Sequence, residues 1–263
     1  MNDIPVQRRR ADGGAAAAVH PMPRLPRVSD CAVALNGHVL LSPGCVALMG
    51  LAAVRRATAT VSVAADDVAL HHPSAALQRR LDAPACRAAV AAILSSPPSA
   101  VPPADFAIAV LTAASAGPRV GLVGKRGLEA ARSLPAGHVL GVYSGQLLLP
   151  REVDILPPAA LAEHTRYAFN LRLPLAPSPG KRQRKAWRAC VLGPAARVHN
   201  FVRLVNDCRV DASLPPPRGA QNAAFVTAVV AGVPLVVAVT TKAVRAGAPL
   251  LVDYGEDYWR LQS

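Results

Sequence analysis

Four short stretches of this sequence hold side chains suited to gripping and orienting a ligand. Gly124-Lys125-Arg126-Gly127-Leu128-Glu129-Ala130 pairs glycines with basic residues, and glycine lets backbone carbonyls and amides approach a bound group closely. Val142-Tyr143-Ser144-Gly145-Gln146 offers a tyrosine just before a turn. Arg203-Leu204-Val205-Asn206-Asp207-Cys208 sets an amide beside a carboxylate. The Asn206 side chain, with two donor hydrogens and an acceptor, can fix backbone and ligand together. Leu250-Leu251-Val252-Asp253-Tyr254-Gly255 supplies a second tyrosine. No strong general base stands out in them, so chemistry here would rest on positioning. Each stretch also has a plainer reading: a glycine turn, a strand tyrosine, a strand ending in an Asx turn.

Strands must position these residues, and the sequence offers several. Val139 to Tyr143 is a short β-run after the turn-forming Pro135-Ala136-Gly137. Ala224 to Val230 and Leu235 to Thr240 form a hairpin across Ala231-Gly232-Val233-Pro234; neither half alternates cleanly, so both strands are expected to be buried on both faces. Phe106 to Leu111 is a further strand leading toward them, and Val61 to Val63 is a short candidate. Asp82 is a candidate N-cap for a helix opening at Pro84 and running through Ile93. The expectation is a mostly β protein with irregular connections and few helices. Residues 1–30, rich in Arg, Gly, Ala and Pro, read as a disordered head with weak targeting character. Residues 31–104 form a poorly defined N-terminal region ending in a Pro-rich linker. Residues 105–263 form the main domain, with an insertion at 172–190.

Composition bounds the partners. Hydrophobic residues make up 52% of the 263, chiefly Ala and Val, which is enough for a substantial core. The net charge of +13 comes almost entirely from arginine, since Lys125, Lys181, Lys185 and Lys242 are the four lysines. A GC-rich genome produces this bias, so the charge permits nucleic-acid or chromatin-like partners without specifying them. The five cysteines are scattered and form no C-x-x-C, which argues against a zinc ribbon or a disulfide framework and points to a reducing compartment, nucleus or cytoplasm. The apolar run from Cys31 to Val54 is interrupted and falls short of the roughly 20 residues that a membrane span requires. No metal site is expected.

Taken together and in order, the stretches resemble the SET domain, the protein-lysine methyltransferase fold, from about Gly121 to Trp259. Gly124 to Ala130 is similar to its G-x-G-x-G-L-x-A opening, one residue short in the glycine cluster. Val142-Tyr143-Ser144-Gly145-Gln146 is similar to E-Y-x-G-E, and Arg166-Tyr167-Ala168-Phe169-Asn170-Leu171 to Y-x-F-x-L; core packing would explain Tyr167 and Phe169 equally well. His199 to Cys208 follows G-N-x-x-R-F-I-N-H-S at Asn200, Arg203 and Asn206, with Asp207 where histidine is usual. Gln221-Asn222-Ala223-Ala224-Phe225 resembles P-N-C-x-x without its Pro and Cys, and Thr240 to Gly255 parallels A-x-R-x-I-x-x-G-E-E-L-x-F-D-Y-G.

The resemblance implies a SET-type β-fold whose two C-terminal segments cross as a pseudoknot, and a protein-lysine N-methyltransferase that uses S-adenosylmethionine. It implies Tyr254 and Tyr143 as catalytic residues. Lys125, Arg126, Gly127, Leu128, Tyr167, Arg203, Asn206, Asp207, Tyr254 and Trp259 would lie against the cofactor, and Tyr143, Phe225 and Val252 would line the substrate channel. Val252, smaller than the Phe or Tyr found at that place in the family, would leave a roomier site. A histone tail or another basic protein would be the substrate. The basic insertion residues Lys181, Arg182, Arg184 and Lys185 would contact DNA or a nucleosome, serve as a nuclear address, or form a solvated loop. Two alternatives stay open: a catalytically degenerate SET protein acting as a binding module, and a basic nucleic-acid-binding protein.

Overall fold

In a computed structural model of the chain, residues 31–59, 62–113, 122–174, 187–193, 201–209 and 219–256 are described. The N-terminal part opens with β1 (Ala32–Ala34) and β2 (Val39–Leu41), paired antiparallel. Pro43 then starts α1 (Pro43–Met49), whose first turn is capped by the Ser42 hydroxyl accepting the Cys45 amide at 3.2 Å. After α2 (Leu51–Ala59) come β3 (Val68–His71), α3 (Ala75–Leu81) and α4 (Pro84–Leu94). α4 buries Cys86, Val90 and Leu94, a four-residue spacing that puts one stripe against the core. The helix expected from Pro84 is α4, but Asp82 does not cap it. Asp82 closes α3 instead, its amide bonding the Gln78 carbonyl at 2.9 Å, and Ala83 precedes α4. Of the strand expected at Val61 to Val63, Ser62 and Val63 are irregular, and Val61 lies outside the described residues.

Beyond residue 105, strands dominate. In order come β4 (Phe106–Val110), β5 (Arg126–Ala130), β6 (Val139–Tyr143) and β7 (Gly145–Leu148). Two helices, α5 (Pro150–Val153) and α6 (Pro158–Tyr167), precede β8 (Phe169–Pro174) and β9 (Trp187–Gly193). The set closes with β10 (Asn206–Asp207), β11 (Ala223–Val230), β12 (Val233–Thr240) and β13 (Leu251–Val252). They assemble as a five-stranded sheet β1-β2-β7-β9-β8, a four-stranded sheet β3-β11-β12-β6, and the pairs β4-β5 and β10-β13.

The expected hairpin is β11 and β12, joined by the two-residue turn Ala231-Gly232, with Val230 opposite Val233. β12 is buried along its whole length, as a central strand should be. β11 instead alternates, leaving Phe225, Thr227 and Val229 half-buried. Residues 31–104 are built into the same sheets as the rest: β2 pairs in parallel with β7, and β3 pairs with β11. The division at 104/105 therefore does not separate two sheets. The described residues are mostly β with few helices, as expected; within 31–104 the sequence pattern pointed to α4 but not to α1, α2 or α3, because the Ala-rich runs there carry little periodicity. Among the described residues, no helix is long and apolar enough to cross a membrane.

Candidate functional site

The site is built outward from β6. At Gly141 a Cβ would stand 2.6 Å from Val202 Cγ2 and 3.2 Å from the Phe201 ring, so the absent side chain lets the 3₁₀ turn Phe201–Leu204 pack onto the sheet. Phe201 also stacks on Phe106 of β4, with centroids 5.9 Å apart. This apolar seat fixes where Asn206 emerges. Its side-chain amide then donates to the Arg126 carbonyl at 3.2 Å. Gly127 is required there as well, because a Cβ would meet Asn206 Nδ2 at 2.9 Å and Leu111 at 3.0 Å. The glycine stretch and the Asn-Asp stretch, some eighty residues apart, thus share one contact.

β10 and β13 run parallel, with Asn206 opposite Leu251 and Asp207 opposite Val252, and the Cys208 amide bonds the Val252 carbonyl at 2.7 Å. The chain entering β13 is gripped on other sides too. The Leu250 amide donates to the Leu128 carbonyl at 2.8 Å. Asn222 uses both ends of its buried side chain, donating to the Pro249 carbonyl and accepting the Leu251 amide, each at 2.8 Å.

Asp207 is 4% exposed, and its carboxylate is held by backbone. One oxygen accepts the Arg209 amide at 2.5 Å, and the other accepts the Tyr254 amide at 2.7 Å. Ionised acceptors make stronger bonds to amides than neutral ones do, which suits aspartate to this place. The Tyr254 hydroxyl reaches back to donate to the Val205 carbonyl at 2.7 Å. Beside it, Arg209 Nε donates to Asp253 Oδ1 at 3.1 Å, and the same oxygen accepts the Gly255 amide at 2.9 Å.

A second group is aromatic. Tyr143, 3% exposed, meets Phe169 and Phe225 edge-on at centroid distances of 4.8 and 6.2 Å, and those two rings lie 4.9 Å apart. The position of Tyr143 is supported by its neighbour. Ser144 is hydrogen-bonded to His38 Nδ1 at 2.8 Å, while His38 Nε2 faces the carbonyls of Ser96 and Ile93 at 2.9 and 3.2 Å. Two carbonyl partners place the ring proton on Nε2, and burial holds this histidine below its ordinary pKa.

The residues expected at the site therefore fall into two groups. Arg126, Gly127, Asn206, Asp207 and Tyr254 come together, with Leu128 and Val252 fully buried among the core residues beside them. Tyr143 and Phe225 meet in the aromatic group. Lys125 and Arg126 expose their side chains at the start of β5, and Arg203 is half-buried in the 3₁₀ turn. Tyr167 ends α6. Trp259 and the basic residues Lys181, Arg182, Arg184 and Lys185 lie outside the described residues. Asn222 and Asp253 lie in stretches that the resemblance covers, but neither they nor Arg209 are among the site residues it implies. Asn222 could have been noticed as a lone amide before a long apolar strand, whereas the Arg209–Asp253 pair spans 44 residues and leaves no local signal.

Chemically, this arrangement suits binding and orientation. Burial pushes the thiols of Cys45 and Cys190 up to about 12, so neither is a thiolate nucleophile at neutral pH. Among the described residues, no group of three His, Cys, Asp or Glu side chains could hold a metal ion. Compared with family models and with curated proteins, the sequence finds no match in either.

Proposed function

We propose that the chain is a SET-type protein-lysine N-methyltransferase that uses S-adenosylmethionine, with β10 and β13 as the two crossing segments of that fold. One observation carries the reading: the parallel pairing of Asn206-Asp207 with Leu251-Val252, after which Tyr254 closes back on Asp207 and Val205. The residues present fit such a cofactor. Without a Cβ, Gly127 lets Asn206 Nδ2 and Leu111 come close to its backbone, so the Asn206 amide rests directly on the glycine stretch. Asn206, with one donor already spent on Arg126, retains a second donor and its carbonyl oxygen for an amino-acid-like ligand.

When bound, S-adenosylmethionine supplies an electrophilic methyl group on a sulfonium. The protein's own contribution is positioning and desolvation. Because the Tyr254 hydroxyl donates its hydrogen to the Val205 carbonyl, it can meet an incoming amine or a cationic neighbour only as an acceptor. The rings of Tyr143, Phe169 and Phe225 wall off a lysine side chain and disfavour its ammonium form, so that the amine loses its proton to solvent before it attacks. By the sequence resemblance alone, Tyr167, Arg203 and Trp259 are assigned to the cofactor side. The substrate is a histone tail or another basic protein, in the nucleus or cytoplasm, and the basic run Lys181, Arg182, Arg184 and Lys185 is the candidate contact to nucleic acid.

The test is calorimetric titration with S-adenosylhomocysteine, followed by transfer of labelled methyl from S-adenosylmethionine to mixed histones. Binding and transfer together are expected. Binding without transfer to any basic substrate would leave a degenerate binding module. Absence of both, with DNA binding that weakens steeply with salt, would leave a basic nucleic-acid-binding protein.

A further inference from the structure

On the face formed by α3 and the start of β11 lies a cleft of about 350 Å³, separate from the contacts described above. Its polar lining is His72, Ser74, Arg80, Gln221 and Thr241, over a floor that includes the buried Leu77 and Ala224. The protonation of His72 is set by its neighbour. The Ser74 amide donates to His72 Nδ1 at 3.0 Å, so that nitrogen is an acceptor and the ring brings its proton on Nε2. Arg80 is anchored by one guanidinium N–H on the Thr241 carbonyl, and the stem of its side chain passes near Gly137. The planar group retains further donors in a fixed plane. Among the described residues, no carboxylate lines the cleft. Asp82, the acid on the same helix end, is bonded to the Gln78 amide at 2.8 Å.

Several side-chain donors lining one cleft, one permanent cation and an apolar floor define the ligand class. We propose that this cleft binds a small organic oxyanion, a phosphate monoester or a carboxylate, with the oxygens on Arg80 and His72 and the apolar body on Leu77 and Ala224. Bidentate recognition by arginine suits both anions, and the volume lies within the range of small-molecule sites. This does not depend on the methyltransferase reading. The two places are nonetheless joined, because Gln221 precedes Asn222, which holds Pro249 and Leu251 on the approach to Tyr254.

The experiment is a titration of the ¹⁵N-labelled full chain by NMR at constant ionic strength, with phenyl phosphate, benzoate and inorganic phosphate as probes and chloride as control. Saturable shifts are expected at the amides of Ala224 and Thr241 and at the Gln221 side chain. The aromatic probe that fits should bind about 10-fold tighter than inorganic phosphate, because it also covers the apolar floor. The stronger of phenyl phosphate and benzoate identifies the anion. Arg80→Ala should weaken that binding by about 10-fold or more. If that variant loses its folded spectrum, His72→Ala, which leaves the Arg80 contact to Thr241 in place, should still weaken it several-fold. No saturable shift at these residues up to about 20 mM probe, or affinity unchanged in the folded variant, overturns the proposal.

Discussion

Asp207 holds Tyr254 by the backbone while Tyr254 holds the chain just before Asp207 by its hydroxyl: 2.7 Å from Asp207 Oδ2 to the Tyr254 amide, and 2.7 Å from the Tyr254 hydroxyl to the Val205 carbonyl. The two bonds form a closed clasp across 47 residues of sequence. An aspartate where the resembling family usually has histidine is therefore compatible with an ordered tyrosine.

Removing the carboxylate should open that clasp. Asp207→Ala leaves the amides of Arg209 and Tyr254 without their acceptor in a buried place, at a cost of about 3 kcal/mol. Asp207→Asn should also destabilise, because its NH₂ turns a donor toward one of two amide donors. Urea denaturation followed by circular dichroism checks both, and a midpoint within error of wild type for Asp207→Ala would refute the clasp.

Tyr254→Phe separates structure from chemistry. Losing the bond to Val205 should cost about 1 kcal/mol in folding. Methyl transfer should fall by about two orders of magnitude, since the hydroxyl would act on the reacting groups. Cofactor affinity should stay within about twofold. Equal turnover in mutant and wild type on the best substrate would remove Tyr254 from the catalytic role.

Gly127→Ala tests the contact between β5 and Asn206. The new methyl would stand 2.9 Å from Asn206 Nδ2 and 3.0 Å from Leu111, so Asn206 must swing away or β5 must shift. The expected cost is about 1 to 3 kcal/mol, together with weakened S-adenosylhomocysteine binding. Gly124→Ala is the comparison for space alone: its Cβ would meet nothing within 4 Å, although its φ of +82° carries a backbone penalty of its own. Tighter cofactor binding by Gly127→Ala would contradict this assignment.

Acid should destabilise the fold from just below neutrality. Burial holds His38, His72, His138 and His164 below their ordinary value of 6.5, so the unfolded chain takes up protons that the folded chain refuses. Their stability contribution is whole above pH 6.5 and is lost as pH falls from there toward the folded-state values. Asp105, held low by Arg132, titrates well below this window. Denaturation midpoints between pH 7.5 and 5 should therefore decline, and His38→Gln should flatten the decline. A profile that rises on acidification would contradict it.

What the sequence disclosed follows the range of the interactions. The β11–β12 hairpin was legible because two apolar runs flank a connection holding Gly232, although its turn is two residues rather than the four expected, and α4 because Pro84 starts it. Asn206, Asp207 and Tyr254 stood out as residue types, but that Asp207 would spend both oxygens on backbone amides depends on β10 meeting β13. The parallel pairing of β2 with β7 joins Val39 to Gly145, and nothing local in either segment announces the other. Phe169 was readable as a core residue, and Phe225 only as a channel residue implied by the resemblance. Their meeting over Tyr143 required the folded sheets.

The grip on β13 also sets an order of events during synthesis. Residues 248–254 leave the ribosome after every other described strand, yet Asn222, Leu128 and Asp207 all hold hydrogen bonds to this piece. A nascent chain halted before it would have both large sheets available to form while the Asp207 carboxylate still faced water. The tyrosine and the segments that orient it would then join in one late docking step, so a partly made chain could fold much of its body without acquiring the site.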